Sequence, residues 1–469
     1  MPHSRAAHDD GAVMPARPDV IPEDWPIFHL AHPGPGWAWP ADPNFAFFWQ
    51  GRYHLHYIYD RGGDRALEPF ARFYSDERDY AMAHVSSTDL VHWEWHPTTL
   101  TKDAVGHEPF SGTGFLTLEG RPAIIYHGGG TSTNHVRIAT DDTLENWGDP
   151  IPAVIHVRPD QDGSVIAHND PDAWLEGDTY YAIFGGHEYN ASSTTYFRST
   201  DLQNWQYLGP FLGSDLPDAE ADTDLSCPQF FPIGDKYMLL GISHNKGCRY
   251  YLGRWEEERF IPEFHGRMNW NATDYFAPES LLTADGRRVM WAWAYLDSPQ
   301  SGIQTLPREL ELPADGVLRL RPLRELEVLR GEEVHCPGIA VPSHGSVRMS
   351  GIFGAALELD ISLRRGSARR FGVRVHCGAD GLGGEEVTID IAAGTFSIGA
   401  VVAPFRAGLD DELRLRVFVD KYLIEAFADD RQAVFAAHFA APEDMWVAVF
   451  SEDESIVADV RGWELRSIW

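Results

Sequence analysis

Apolar and polar positions alternate in short runs along most of this chain, and the runs are dense in aromatic and β-branched residues. Phe45–Trp49, Tyr53–Tyr59, Ala123–Tyr126, Thr179–Phe184, Tyr237–Ile242 and Val289–Tyr295 are the clearest. Gly, Asp and Pro punctuate the gaps, as in Gly62-Gly63-Asp64 and Gly234-Asp235. This pattern predicts strands joined by turns, with no long helical periodicity to compete. Toward the C-terminus Leu413 to Val419 alternates again, and Leu423 to Phe427 follows a turn at Asp420-Lys421, which predicts an antiparallel β-sandwich. A charged stretch, Arg319 to Glu332, lies between the two regions and is expected to be a linker. The expected organisation is a lead-in over 1–20, a strand-rich unit over 21–320 and a sandwich over 333–469.

A weak repeat sharpens the first unit. Ser87-Thr88-Asp89-Leu90 is followed by Trp93, and Ser199-Thr200-Asp201-Leu202 by Trp205. A degenerate copy, Ala139-Thr140-Asp141, leads to Trp147, so the copies stand about 52 and 60 residues apart. A turn reused at that period between strands is the signature of a β-propeller, and about 300 residues make roughly five blades. The expected fold class is all-β: a five-bladed β-propeller followed by a C-terminal β-sandwich.

Composition narrows the function. The 469 residues are 43% hydrophobic and 23% charged, ordinary for a globular chain. There are 70 acidic against 38 basic side chains, a formal net charge of −32. A field of that sign repels nucleic acid and anionic membrane, so neither is expected as a partner and neutral substrates are. No run of about 18 apolar residues spans a membrane. The first residues carry Arg5, Asp9 and Asp10 and lack the apolar core of a signal peptide, so a cytoplasmic location is expected. Cys227, Cys248, Cys336 and Cys377 are scattered without metal-ligand spacing and are expected as free thiols.

Three segments place an Asp near a Pro and an aromatic or small residue: Trp37 to Asn44, His168 to Trp174, and Asp222 to Pro228. Any one of them reads as a turn. Together they supply the paired carboxylates that glycosidic cleavage requires, one to attack and one to protonate the leaving oxygen. His127, His168, His187 and His244 flank these segments, and such histidines are more often structural hydrogen-bonders than catalysts. No His-Asp-Glu cluster at ligand spacing and no phosphate loop is present, so neither metal nor other cofactor is expected. Trp37, Trp39, Trp174 and Trp270 are candidates for stacking on sugars or for core packing.

The order and context of these segments resemble glycoside hydrolase family 32, the invertases and fructan hydrolases. Trp39-Pro40-Ala41-Asp42-Pro43-Asn44 stands where the family has Trp-Met-Asn-Asp-Pro-Asn with its nucleophilic Asp. Gly51 to Leu55, His84 with Ser87 to Trp93, Phe110-Ser111-Gly112, Asp170-Pro171, Phe276 to Glu279, Leu306 to Leu310, and Val417 to Phe427 resemble further family signatures. The resemblance implies that Asp42 is the nucleophile and that Asp170 stabilises the transition state. It implies a substrate site including Trp39, Asn44, His84, Phe110, Ser111, Asn169, Ser226 and Glu279.

The departures fall in the pocket. Asn169 replaces the family's Arg, Ala41 its Asn, and Ile58 its Gln. Ser226-Cys227 replaces the Glu-Cys pair that supplies the acid/base, and a hydroxyl cannot protonate a leaving alkoxide near neutral pH. Residues two apart on a strand share a face, so Asp222, Asp224 and Ser226 are expected to point together, with Asp224 delivering the proton. Glu279 is the other candidate. Asp215, Asp218, Glu220, Asp222 and Asp224 also form a charge run typical of a solvated loop. The expected activity is retaining cleavage of terminal fructofuranosyl linkages in a disaccharide or oligosaccharide. A different furanoside, transfer to a sugar acceptor, and a catalytically inactive carbohydrate-binding relative are the alternatives, and the oligomeric state is left open.

Overall fold

The computed structural model describes the chain except residues 1–11, 16–19, 35–37, 62–78, 164–165, 167, 187–193, 213–223, 271–272, 297–299 and 407–411. Trp37, His187, Asp215, Asp218, Glu220 and Asp222, named above, lie outside the described residues, as do the Gly62-Gly63-Asp64 turn and most of the 1–20 lead-in. Strands dominate the described residues, and the helical pieces among them are the short turns Lys102–Val105 and Arg324–Leu329. No helix among them is long and apolar enough to cross a membrane.

Between Pro43 and Pro322 the strands form five sheets in chain order. Four are four-stranded antiparallel meanders. The third gains a fifth strand, Val154–His156, paired in parallel with Asn204–Pro210. The repeated Asp turns sit between the third and fourth strands of the first three sheets. Asp89 accepts the backbone N–H groups of Val91 and His92, Asp141 those of Thr143, Glu145 and Asn146, and Asp201 those of Gln203 and Asn204. Leu90, Leu144 and Leu202 turn the chain at positive φ, and Trp93, Trp147 and Trp205 bury beneath it.

The opening strands of the five sheets are Pro43–Trp49, Glu108–Leu116, Asn169–Glu176, Ser226–Ile233 and Tyr275–Leu282. Each touches the next, and the last touches the first. Every one breaks register near its start, at Asn44/Phe47, Pro109/Gly112, Asn169/Asp172, Ser226/Gln229 and Phe276/Glu279. Pro171, Pro228 and Pro278 occupy equivalent bulge positions, where a missing N–H costs no ladder bond. The residue before each bulge proline has positive φ: Asp170 at 39°, Cys227 at 46° and Ala277 at 42°, with Phe45 at 47° in the first sheet.

Polar side chains at these bulges join neighbouring sheets all the way round. Asn44 Oδ1 accepts Gly112 N–H at 2.8 Å. Asp172 takes the Thr113 hydroxyl at 2.7 Å on one side and Phe230 N–H at 2.8 Å on the other. Ser280 Oγ donates to Gln229 Oε1 at 2.6 Å, and Glu279 Oε1 accepts Ala46 N–H at 2.8 Å, which links the fifth sheet to the first.

The stretch expected as a linker is folded. Arg319–Pro322 pairs with Arg308–Glu311 as the last strand of the fifth sheet, a 3₁₀ turn covers Arg324–Leu329, and Arg330–Val341 opens the next unit. Its charges are satisfied locally, as where Arg324 bonds both Glu309 oxygens and Arg287 pairs with Glu309 and Glu325. Two six-stranded sheets then face each other across one apolar core that includes Leu359, Ile361, Val373, Val387, Val417 and Val449, a β-sandwich.

Charged residues lock sandwich and sheets together. Asp420, fully buried, accepts the backbone N–H groups of Ile27, Phe28 and His29 at 2.9 Å each and holds His29 Nδ1 at 2.8 Å. Glu425, equally buried, accepts Leu306 N–H at 2.6 Å and Arg308 Nη2 at 3.2 Å. Burial alone would lower the His29 pKa. The hydrogen bonds and charges of Asp420 and Glu425 outweigh it and lift the pKa to about 9. A histidine with a raised folded pKa stabilises fully below its unfolded value near 6.5, and that contribution is lost as pH rises through about 9. The shift corresponds to on the order of 3 kcal/mol. The stability difference between the wild type and His29→Gln, followed by urea denaturation, is therefore expected to be largest at pH 6 and to shrink by pH 9.5. A constant difference would refute the charged assignment.

Candidate active site

A cavity of about 400 Å³ opens where the starts of the inner strands converge. Asp42, Glu108, Phe110, Asn169, Asp170 and Cys227 line it from four of the sheets, with Trp39 and Pro40 from the entering segment. His127, Ile242, His244, Phe276, Trp293 and Tyr295 complete much of the wall. Trp39 packs edge-on against Trp293 with centroids 5.9 Å apart, giving one side an aromatic surface suited to sugar faces. A site of this size accommodates a small carbohydrate.

Asp42 sits just before the first strand. Its Oδ2 accepts the Ser111 hydroxyl at 2.8 Å, while Oδ1 is buried and accepts no hydrogen bond. Burial raises its pKa to about 7; the nearby Asp170 adds to the rise, and Ser111 and His244 oppose it. Asp170 reaches the cavity from the positive-φ bulge position of the third sheet, and Cys227 from the matching position of the fourth. Burial and the two carboxylates hold the Cys227 thiol well above its ordinary range, so it is inert as a nucleophile. All four cysteines are unbridged.

The structure thus brings Trp39, Asp42, Phe110, Asn169 and Asp170 to one cavity and sets Ser111 behind Asp42. Several other candidates lie elsewhere. Asn44 is buried, its Nδ2 donating to the Asp42 carbonyl at 2.7 Å and its Oδ1 spent on Gly112. His84 is buried in the first sheet, 2.9 Å from His54 and stacked on His56 at 4.4 Å, and does not reach the cavity. Ser226 Oγ donates to the Gly186 carbonyl at 3.3 Å. Glu279 is spent joining the fifth sheet to the first. Burial keeps its carboxyl well above the usual range, Asp172 adds to this, and Ala46 N–H and Arg288 oppose it. Trp174 belongs to an aromatic cluster with Tyr181, Tyr196 and Phe230, and Trp270 lies under Arg267. His168 packs near Phe184.

Asp224, expected as the proton donor, is fully buried and is not part of the cavity wall. The strand begins only at Ser226, so two-residue periodicity does not extend back to Asp224. Its carboxylate accepts Ser243 Oγ at 2.7 Å and His244 N–H at 3.0 Å, and lies 2.5 Å from His244 Nδ1. Burial pushes its pKa up, but these bonds and the His244 charge bring it below the ordinary value. A carboxyl held ionised behind another side chain is badly placed to protonate a substrate. Glu108 and the placement of His244 went unread in the sequence. The repeated small residue-Pro-acid/amide bulge (Asp170-Pro171-Asp172, Cys227-Pro228-Gln229, Ala277-Pro278-Glu279) is the signal that marks the cavity rim. Among the described residues no group of three or more His, Cys, Asp or Glu side chains stands where it would hold a metal ion.

Comparison with known proteins agrees with this layout. Residues 32–322 match the glycosyl hydrolases family 32 N-terminal domain and residues 325–464 the family 32 C-terminal domain. The chain is 27% identical over 467 residues to a sucrose-6-phosphate hydrolase of Salmonella typhimurium, covering 91% of each. It is 26% identical to a raffinose invertase of Escherichia coli, covering 90% of each. Among solved structures, fructan 1-exohydrolase IIa of Cichorium intybus superposes with a TM-score of 0.76 at 19% identity, over 96% of this chain and 98% of that one. Both halves of the chain match, in order and nearly end to end: the chain belongs to glycosyl hydrolases family 32.

Proposed function

We propose that the chain is a retaining β-fructofuranosidase built as a five-bladed propeller with a C-terminal sandwich, releasing terminal fructosyl units from sucrose or short fructans. The continuous ring of contacts among the five opening strands supports the blade count. The observation that carries the activity is the pairing of Asp42 and Asp170 in one cavity, with one Asp42 oxygen fixed by Ser111 and the other unbonded.

The Asp42 carboxylate attacks the anomeric carbon as the glycosidic bond breaks, and water later displaces the carboxylate from the opposite face. Asp170 accepts hydrogen bonds from ring hydroxyls and steadies the oxocarbenium-like charge. The family relatives named as sucrose-6-phosphate hydrolases carry a phosphorylated sugar in their names. Here three carboxylates, Asp42, Glu108 and Asp170, face the cavity, and no lysine or arginine is among its described lining residues, which favours an uncharged sugar.

The test is product analysis with sucrose, 1-kestose, inulin and levan in buffer containing methanol. The expected product is methyl β-fructofuranoside beside fructose, and a kcat/KM on sucrose at least about tenfold above that on sucrose 6-phosphate, a difference of about 1.4 kcal/mol. An inverted methyl glycoside would overturn the covalent role of Asp42. Sugar binding without turnover on every substrate would identify a non-catalytic binding relative.

A further inference from the structure

The serine at position 226 leaves the cavity without the carboxylic acid expected there, and a different pair of side chains stands beside the gap. Ser226 pairs with Ile242 across the first two strands of the fourth sheet. Two residues further along each chain segment, Asp224 and His244 come together. His244 lines the cavity with Asp42 and Asp170, its ring lying edge-on to Phe276 at 5.7 Å. Its Nδ1 is bound to the buried Asp224, which fixes the ring.

We propose that His244 is the general acid and base of this enzyme, with Asp224 as its positioning residue. The inference rests on the fructosidase reading above. In the first step the C2–O bond breaks with its electrons on the leaving oxygen, which takes the proton from His244 Nε2 as Asp42 bonds to C2. In the second, neutral His244 takes a proton from water, the resulting oxygen attacks C2, and Asp42 leaves as carboxylate. Proton and charge return to their starting positions.

The electrostatics are consistent with this role. Among the described residues, Asp224 from its own sheet, Asp170 from the third and Asp42 ahead of the first act on His244; Phe276 is neutral, and Glu108 lines the same cavity. Burial lowers the His244 pKa, but the hydrogen bond to Asp224 and the charges of all three aspartates raise it above the ordinary value. An imidazolium that persists near neutral pH is matched to proton donation there.

The experiment compares sucrose with 4-nitrophenyl β-fructofuranoside, whose leaving group needs little protonation. His244→Gln is expected to lower kcat/KM on sucrose by about 100-fold or more and on the aryl substrate by less than about fivefold. It should also abolish the alkaline limb of the pH profile, and azide should accelerate turnover of the aryl substrate by trapping fructosyl azide. The change also takes the imidazolium from the buried Asp224, so the variant is expected to melt below the wild type, and rates are compared at a temperature where circular dichroism shows both proteins folded. Asp224→Asn should keep an alkaline limb but move it to lower pH. Equal losses on both substrates, or the leaving-group-dependent loss appearing in Glu108→Gln instead, would overturn the assignment. A wild type inactive on both substrates would overturn the fructosidase reading itself, and this assignment with it.

Discussion

Asp42→Asn is expected to lower turnover on every fructoside by at least about four orders of magnitude, because the near-isosteric amide cannot form the ester. The variant should fold and bind sugar, since the Asn oxygen still accepts the Ser111 hydroxyl. It should also be more stable than the wild type above pH 7. The folded pKa of Asp42 is raised to about 7 by burial first and Asp170 second, so ionising it costs the folded state stability that an amide does not lose. That difference should shrink as pH falls below 7 and vanish near pH 3, where the carboxyl is protonated in both states. Stability gained together with activity lost is the signature of a functional charge kept at a cost. Thermal melts at pH 5 and 8 beside sucrose assays test both halves. Residual turnover above one per cent would remove Asp42 from the nucleophile's role.

Asp420→Ala is expected to produce the largest loss of stability of any single change considered for this chain. It strips the acceptor from buried N–H groups at Phe28 and His29 and a part-buried one at Ile27, and leaves the His29 imidazolium beside Glu425 alone. Uncompensated donors and a half-broken buried ion cluster together cost about 3–5 kcal/mol. Denaturant unfolding at pH 6.5 measures it, and Asp420→Asn, which still offers one acceptor, should lose less. A change below about 1 kcal/mol would show that water replaces the carboxylate at this junction.

The same residues illustrate what the sequence makes legible. Alternation and turn signals are local, and so the strands, the Asp turns beneath Leu90 and Leu202, and the alternating sandwich strands are readable from the chain. Asp42 and Asp170 are readable because motif context marks them. What is not local escapes. Strand period puts Asp224 on a face with Ser226, yet its partner is His244, 20 residues on. Glu279 looks like a pocket acid beside a family-like Pro, but the bulge turns it onto the neighbouring sheet. His84 lies beside residues of a family signature, while its own surroundings are His54 and His56. The charged stretch Arg319 to Glu332 reads as solvated until the carboxylates that face it are known.

The bulges at the opening of each inner strand carry a consequence for how such a site changes over time. In the third and fourth sheets two jobs fall to residues two positions apart: the one at positive φ, Asp170 or Cys227, faces the cavity, while the one after the proline, Asp172 or Gln229, bonds the neighbouring sheet. Exchange at the first position rewrites the chemistry of the mouth without loosening the seam, and exchange at the second does the reverse. A lineage can therefore change the group at the Cys227 position while the seam that joins the neighbouring sheets stays in place. Cavity chemistry and architecture are separately heritable in this molecule, two positions apart.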